Sequence, residues 1–248
     1  MAKRLWIAGL MTAALAAPSF APASDLSPHQ IAMLSGGDLP STLPPSAIAA
    51  AAPVLDDLHR VRLEQARLPP PRTDAERLVR MGALDRAARE GIAQIRWTSL
   101  AESDARAAMA IISTEMDDVD TVNQHQLFAM LPPEGWFGER RYGREASEAA
   151  FTIVQHADLA TQQRFLPTIQ AFVLRGDADP GDFTRMFDRV AMRQGRSQRY
   201  GTQFTCVDHR WTPYRIENQD RVEALRASLH MSETFAQTMA RMAASDCR

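Results

Sequence analysis

Apolar residues recur along this chain mostly at helical spacing. Leu78, Met81, Ala88, Ile92 and Ile95 fall at the intervals that line one face of a helix, and Thr73 with Glu76 forms the capping-box pattern that would start it. Met109, Ile112, Met116, Val119, Leu127 and Met130 predict a helix over about 103–130, ended by Leu131-Pro132-Pro133. After the tight aromatic loop Gly135-Trp136-Phe137-Gly138, the strip Ala146, Ala150, Ile153 and Ala157 predicts a helix over about 144–157. Phe165, Ile169, Phe172 and Val173 mark the next, which begins near Thr161, is kinked or restarted at Pro167 and ends at Gly176. Asp179-Pro180-Gly181-Asp182 reads as cap and first turn of a helix whose inward face is Phe183, Met186, Phe187 and Val190 and which stops at Gly195. Val222, Leu225 and Leu229, then Phe235, Met239 and Met242, suggest two more. Few segments alternate with period two. The expected fold is therefore mainly α, a single irregular multi-helix bundle over 73–248, with a loop or short extended segment near 196–212.

The N-terminal third reads differently. Lys3 and Arg4 precede an apolar run from Leu5 to Ala17, and Ala21-Pro22-Ala23 gives the small-x-small pattern of a cleavage site. Residues 1–23 are expected to be a signal peptide cleaved after Ala23, which places the mature protein in a periplasm or outside the cell. No later apolar run is long enough to span a membrane. Residues 24–72 are rich in Pro, Ala and Ser and read as a flexible extension, with one amphipathic helix formed by Val54, Leu55, Leu58 and Val61 after Pro53.

Charge and composition narrow the chemistry. Removing Lys3 and Arg4 shifts the formal charge from −2 to about −4, which gives no electrostatic reason to expect a nucleic-acid partner. Lys3 is the only lysine, so the mature chain has none for a Schiff base, a pyridoxal-phosphate anchor or a Walker-type phosphate loop. Gly-x-Ser-x-Gly, His-Glu-x-x-His, Cys-x-x-Cys and Gly-x-Gly-x-x-Gly are all missing. No cofactor is expected. The cysteines are Cys206 and Cys247, and in an oxidising compartment a pair suggests a disulfide; Cys206 as a nucleophile beside His209 is the alternative.

The candidate chemistry lies in polar residues set among apolar stripes, where they are costly unless paired or meeting a ligand. Asp85 falls on the first stripe with Arg89 four residues on, a spacing that suits an ion pair within one helix. Asp120 and Asn123 share a face with Val119 and Leu127 and want partners from another helix. His156 lies at the edge of its strip and Asp158 near the helix end, where it suits a cap for the next helix. His156, Asp158 and Asp188 are the candidate catalytic residues, with His156 as general base. Because Asp158 points elsewhere on the helix, Asp188 or Asp120 is the better expected partner for the imidazole. Asp120, Asn123, Gln155, Arg189, Gln198, Tyr200 and Gln203 are the candidate ligand-binding residues: Arg189 offers a fork for a carboxylate or phosphate, and the others offer neutral donors and acceptors. His156 with Asp158, Asp188 or Asp120 could ligate a metal, but the spacing fits no metal motif and none is expected.

Residues 120–204 resemble an uncharacterised bacterial family of unknown function. The motifs that carry the resemblance are a Gly-Trp turn, V-Q-H-A-D at Val154 to Asp158, Leu166-Pro167, D-R-V at Asp188 to Val190, and Q-x-Y-G-T-Q at Gln198 to Gln203. Asp120-x-x-Asn123 fits as well, and Asp85 with Arg89 resembles an earlier Asp-plus-Arg helix, although Arg86 stands where a glutamine is expected. The resemblance implies a mainly helical domain and supports treating His156, Asp158, Asp188, Arg189, Tyr200 and Gln203 as one constellation; it supplies no activity. The resulting expectation is a polar pocket for a small polar or peptide-like ligand, in a hydrolase or transferase with His156 as base. The alternative is a non-enzymatic envelope module that binds another protein and whose polar cluster is structural.

Overall fold

The computed structural model describes residues 43–245. The segment expected as a signal peptide, and Cys247, lie outside these residues. The fold is mainly α with one small hairpin. Among the described residues no helix is long and apolar enough to cross a membrane.

The helix expected within 24–72 is α1 (Pro45–Ala66), which starts before Pro53 and is packed on its neighbours. It begins at Pro45, carries Pro53 inside it, and buries Ala47, Ala51, Val54 and Leu58. That face packs on α3 (Glu102–Ala129) and on α2 (Asp74–Ala87). Leu58 joins Ala87, Ala88 and Val119 in one small cluster, and Val54 joins Ile111 and Ile112 in another. The Ala-rich composition that resembles a linker is what lets α1 lie close on its neighbours.

Helix α2 starts where expected: the Thr73 hydroxyl accepts from the Glu76 backbone N–H, and the Glu76 carboxylate accepts from Arg72 N. It stops at Ala87, earlier than the stripe through Ile92 and Ile95 suggests. Ile92 lies within, and Ile95 just after, a 3₁₀ turn (Glu90–Gln94) that packs on α1, where Gly91 meets Val54. The chain then runs through α3, a short α4 (Glu139–Tyr142), α5 (Arg144–His156), α6 (Leu159–Leu174) and α7 (Pro180–Arg193). Pro167 lies inside α6 without ending it. Asp158 caps α6 by accepting from Thr161 N at 2.7 Å, and Asp179 caps α7.

The main core is built from α2, α5, α6 and α7 around Trp136 and Phe137, with Leu78, Phe151, Ile153, Phe165, Phe172, Phe183 and Met186. Each such side chain, fully buried, contributes roughly 1.5–3 kcal/mol. Helix α2 packs most extensively on α5, and Gly82 lets them approach closely: a Cβ there would lie 2.7 Å from the Ala149 Cβ. Past α7 the extended segment resolves into an antiparallel hairpin, β1 (Phe204–Val207) and β2 (Arg210–Pro213), whose two-residue turn has Asp208 and His209 both at positive φ, as a type I′ turn requires. Cys206 on β1 is disulfide-bonded. Two short helices, α8 (Val222–Ser228) and α9 (Phe235–Ala243), finish the described chain.

Candidate functional site

A group of polar residues meets on the seam between α2, α3 and α5. Asp85, buried on α2, accepts from Arg89 Nη1 at 2.9 Å through Oδ1, and the same oxygen lies 2.9 Å from His156 Nδ1 on α5. Arg89 also reaches across to α3, where Nη2 donates to both oxygens of Asp120 at 2.7 and 2.6 Å. One guanidinium therefore ties two carboxylates from different helices, and the first carboxylate orients the imidazole. With Nδ1–H donating to Asp85, Nε2 is the basic nitrogen; the His156 side chain retains 20% exposure. Burial is the main cause that raises the Asp120 carboxyl above its ordinary range, and Arg89 partly offsets it. Asn123, one turn on from Asp120, donates from Nδ2 to the Met81 carbonyl at 3.1 Å and so ties α3 to α2.

Asp85, Asp120 and His156 each offer a ligand atom within 4.8 Å of the others. The Arg89 guanidinium is already bonded to both carboxylates and supplies the positive charge that a metal ion would bring. The donor set thus fits an arginine-centred cluster better than a metal centre.

Beside this cluster, α2 and α5 enclose a cleft of about 430 Å³ with Asp85, Arg86 and Arg89 on one wall and Glu145, Glu148 and Thr152 on the other. Thr152 and His156 are four residues apart on α5, so the imidazole follows one turn beyond the end of that wall. A second cleft of about 860 Å³ opens between the first turns of α5 and α7 and the C-terminal hairpin and helices, with Arg144, Glu148, Asp182, Arg185, Thr202 and Trp211 in its lining. Burial pushes the Asp182 carboxyl up to about 7, against the pull of Arg185, which donates to it.

The sequence-expected constellation divides. His156 and Asp120 belong to the α2–α3–α5 cluster, whose Asp85 is the partner of the imidazole. Asp188, expected with Asp120 as one of two alternative partners, is fully buried and accepts instead from Arg199 N at 2.7 Å, Tyr200 N at 3.1 Å, and Thr202 N and Oγ1 at 3.0 and 2.9 Å. It moors the loop after α7. Asp158 is the α6 cap described above. Gln198, also buried, donates to the carbonyls of Gln203 and Tyr214 and accepts from Gln203 N, so both glutamines hold the base of the hairpin. The Tyr200 ring packs edge-on against Phe183 and Phe187. Among the described residues Arg189 reaches only the Gln155 carbonyl, at 3.5 Å; burial and the neighbouring Arg193 and Arg185 lower its pKa. The Gln155 side-chain oxygen is buried and has no hydrogen-bond partner among the described residues. Neither cleft is lined by His156, Tyr200 or Gln203, so the single pocket expected to join them is replaced by these two. The sequence signal for Asp85 as the central residue was its place on an apolar stripe with Arg89 one turn on.

The model of a family described as "Family of unknown function (DUF6624)" matches residues 73–239. The chain belongs to this family. The DUF6624 match runs from α2 into α9 and holds the smaller cleft and the whole Asp85–Arg89–Asp120–His156 cluster; α1 precedes it, and Arg241 and Met242 of the larger cleft lie beyond it. No curated protein and no solved structure matches the chain.

Proposed function

We propose that this DUF6624 protein binds a small polar ligand in the α2–α5 cleft, that the ligand's reacting end extends past Thr152 to His156, one turn beyond the cleft wall, and that the Asp85–His156 pair moves a proton there in a hydrolytic or transfer reaction. The observation that carries the reading is the single Asp85 oxygen shared by Arg89 and His156 at a cleft wall. Asp85 holds the imidazole by Nδ1 and leaves Nε2 as general base, one turn beyond Thr152. Arg86, for which no bonded carboxylate is found among the described residues, stands on the same wall as a point of attachment for the ligand. Such a base contributes about 10²–10⁴-fold to a rate.

The protein is further proposed to work outside the cytoplasm after loss of residues 1–23, with Cys206 and Cys247 bonded to each other. The leader pattern and the disulfide at Cys206 support this. A second reading, a non-enzymatic envelope module, draws support from the way Arg89 satisfies both carboxylates, as a structural cluster would.

The test is turnover of p-nitrophenyl esters, p-nitrophenyl phosphates and aminoacyl anilides by the full mature chain and by His156→Gln. Hydrolysis that falls at least about a hundredfold in the variant supports the reading. Turnover unchanged by the substitution, or none on any probe, favours the interaction module.

A further inference from the structure

Glu148 lines both clefts. It is exposed on the outer face of α5, with Arg144 before it in the larger cleft and Thr152 after it in the smaller. The stretch from Arg144 to Thr152 spans roughly 12 Å of helix, and it borders first one cleft and then the other. A small ligand fills one of these spaces; a longer one crosses Glu148 and occupies both.

We propose that the two clefts form one groove and that it takes an oligosaccharide lying across the first half of α5. The proposal rests on the reading of the Asp85 site above and names its substrate class. A sugar chain presents hydroxyls along its edges and C–H faces between them. The hydroxyls call for planar groups that donate or accept in pairs, and Glu148, Asp182, Arg144 and Arg185 supply them along the larger cleft. The faces call for an aromatic ring, and Trp211 lines the same cleft. Asp182 at 7% exposure is held in the fold and adds no side-chain ordering cost on binding. A peptide that adds to a fold as an extra strand needs a free strand edge. The smaller cleft is walled by α2, α5 and the turn after α2, so it offers no strand edge to a peptide continuing along α5.

The experiment is isothermal titration of the full mature chain with a β-1,4-linked N-acetylglucosamine hexamer, its monomer, a β-1,4-linked glucose hexamer and an alanine-rich hexapeptide. At least one sugar hexamer is expected to bind about tenfold or more tightly than the monomer, and Glu148→Gln and Trp211→Ala are each expected to weaken it about fivefold or more. Thermal melts confirm that both variants are folded; Glu148 is exposed, so its variant stands if Trp211→Ala does not. Equal affinity for monomer and hexamer, binding of the peptide alone, no saccharide binding, or binding indifferent to Glu148→Gln overturns the groove. Failure of the Asp85–His156 reading looks different: the hexamer binds and is never cleaved. Ester hydrolysis that depends on His156, without saccharide binding, leaves that reading standing and removes the groove alone.

Discussion

Asp85 Oδ1 and His156 Nδ1 lie 2.9 Å apart although the residues are separated by 71 positions in the chain. The pair is asymmetric, because the same oxygen also accepts from Arg89. Removing the imidazole leaves Asp85 bonded to a guanidinium. Removing the carboxylate leaves His156 without its partner and Arg89 Nη1 with only the Asp85 carbonyl, at 3.2 Å, in a partly buried place. His156→Ala is therefore expected to cost about 1 kcal/mol of stability and Asp85→Ala about 3 kcal/mol. Urea unfolding of the three chains gives both numbers. A loss above ~2 kcal/mol for His156→Ala would make the imidazole chiefly a structural partner.

The distance between α2 and α5 depends on Gly82. An added methyl group there would sit 2.7 Å from the Ala149 Cβ and 3.3 Å from its Cα, and the helices carrying Asp85 and His156 would have to separate. Gly82→Ala is expected to lower stability by about 1–3 kcal/mol. Ala149→Gly in the same chain removes the nearer clash, so the double variant should recover part of the loss despite its own helix-propensity penalty. A double variant no better than the sum of the singles, measured in a four-chain cycle by urea unfolding, would mean that the seam tolerates the extra methyl.

What was readable from sequence follows from which interactions have a local signature. Helices over about 103–130 and 144–157 were legible because their apolar stripes repeat within one element, and they are observed at Glu102–Ala129 and Arg144–His156. The Asp158 and Asp179 caps were legible because a cap lies within a few residues of what it bonds. The partner of His156 was not, because it depends on how α5 is rotated against α2, a property of the packed pair. Asp188 misled for a related reason. Its partners are backbone N–H groups, which every residue has, so nothing in the pattern around it distinguished a loop anchor from an acid at a site. Helix α1 was underread because Ala47 and Ala51, buried against α3, resemble linker composition when their neighbours are unknown.

Asp188 as a loop anchor has a sharp consequence. Its two oxygens accept from three backbone N–H groups and one hydroxyl between Arg199 and Thr202. Asp188→Asn keeps the shape but turns one acceptor into a donor facing N–H groups. Both Asp188→Asn and Asp188→Ala are expected to cost at least about 3 kcal/mol, since several buried donors lose their acceptor together. Hydrogen exchange should show lost protection at Tyr200 and Thr202 while amides in α2 and α3 keep theirs. Near-neutral stability for either variant would return Asp188 to the list of site candidates.

Asp182 makes stability depend on pH in a direction opposite to that of a paired surface carboxylate. Its carboxyl is raised from 3.8 to about 7 in the folded chain, chiefly by burial. Between those values the folded state holds a proton that the unfolded state has released, so stability falls as pH rises through this window. The contribution is fully present below about 4 and lost by about 7, with an upper bound of about 4 kcal/mol for three pH units. Asp182→Asn cannot ionise and should flatten this part of the profile, so the difference in unfolding free energy between variant and parent should grow in the variant's favour from pH 4 to pH 7. Urea unfolding at half-unit steps measures that difference with other carboxylates cancelling between the two chains. A difference that stays constant with pH would mean that Arg185 keeps Asp182 ionised throughout, which would remove a protonated carboxyl from the larger cleft at neutral pH.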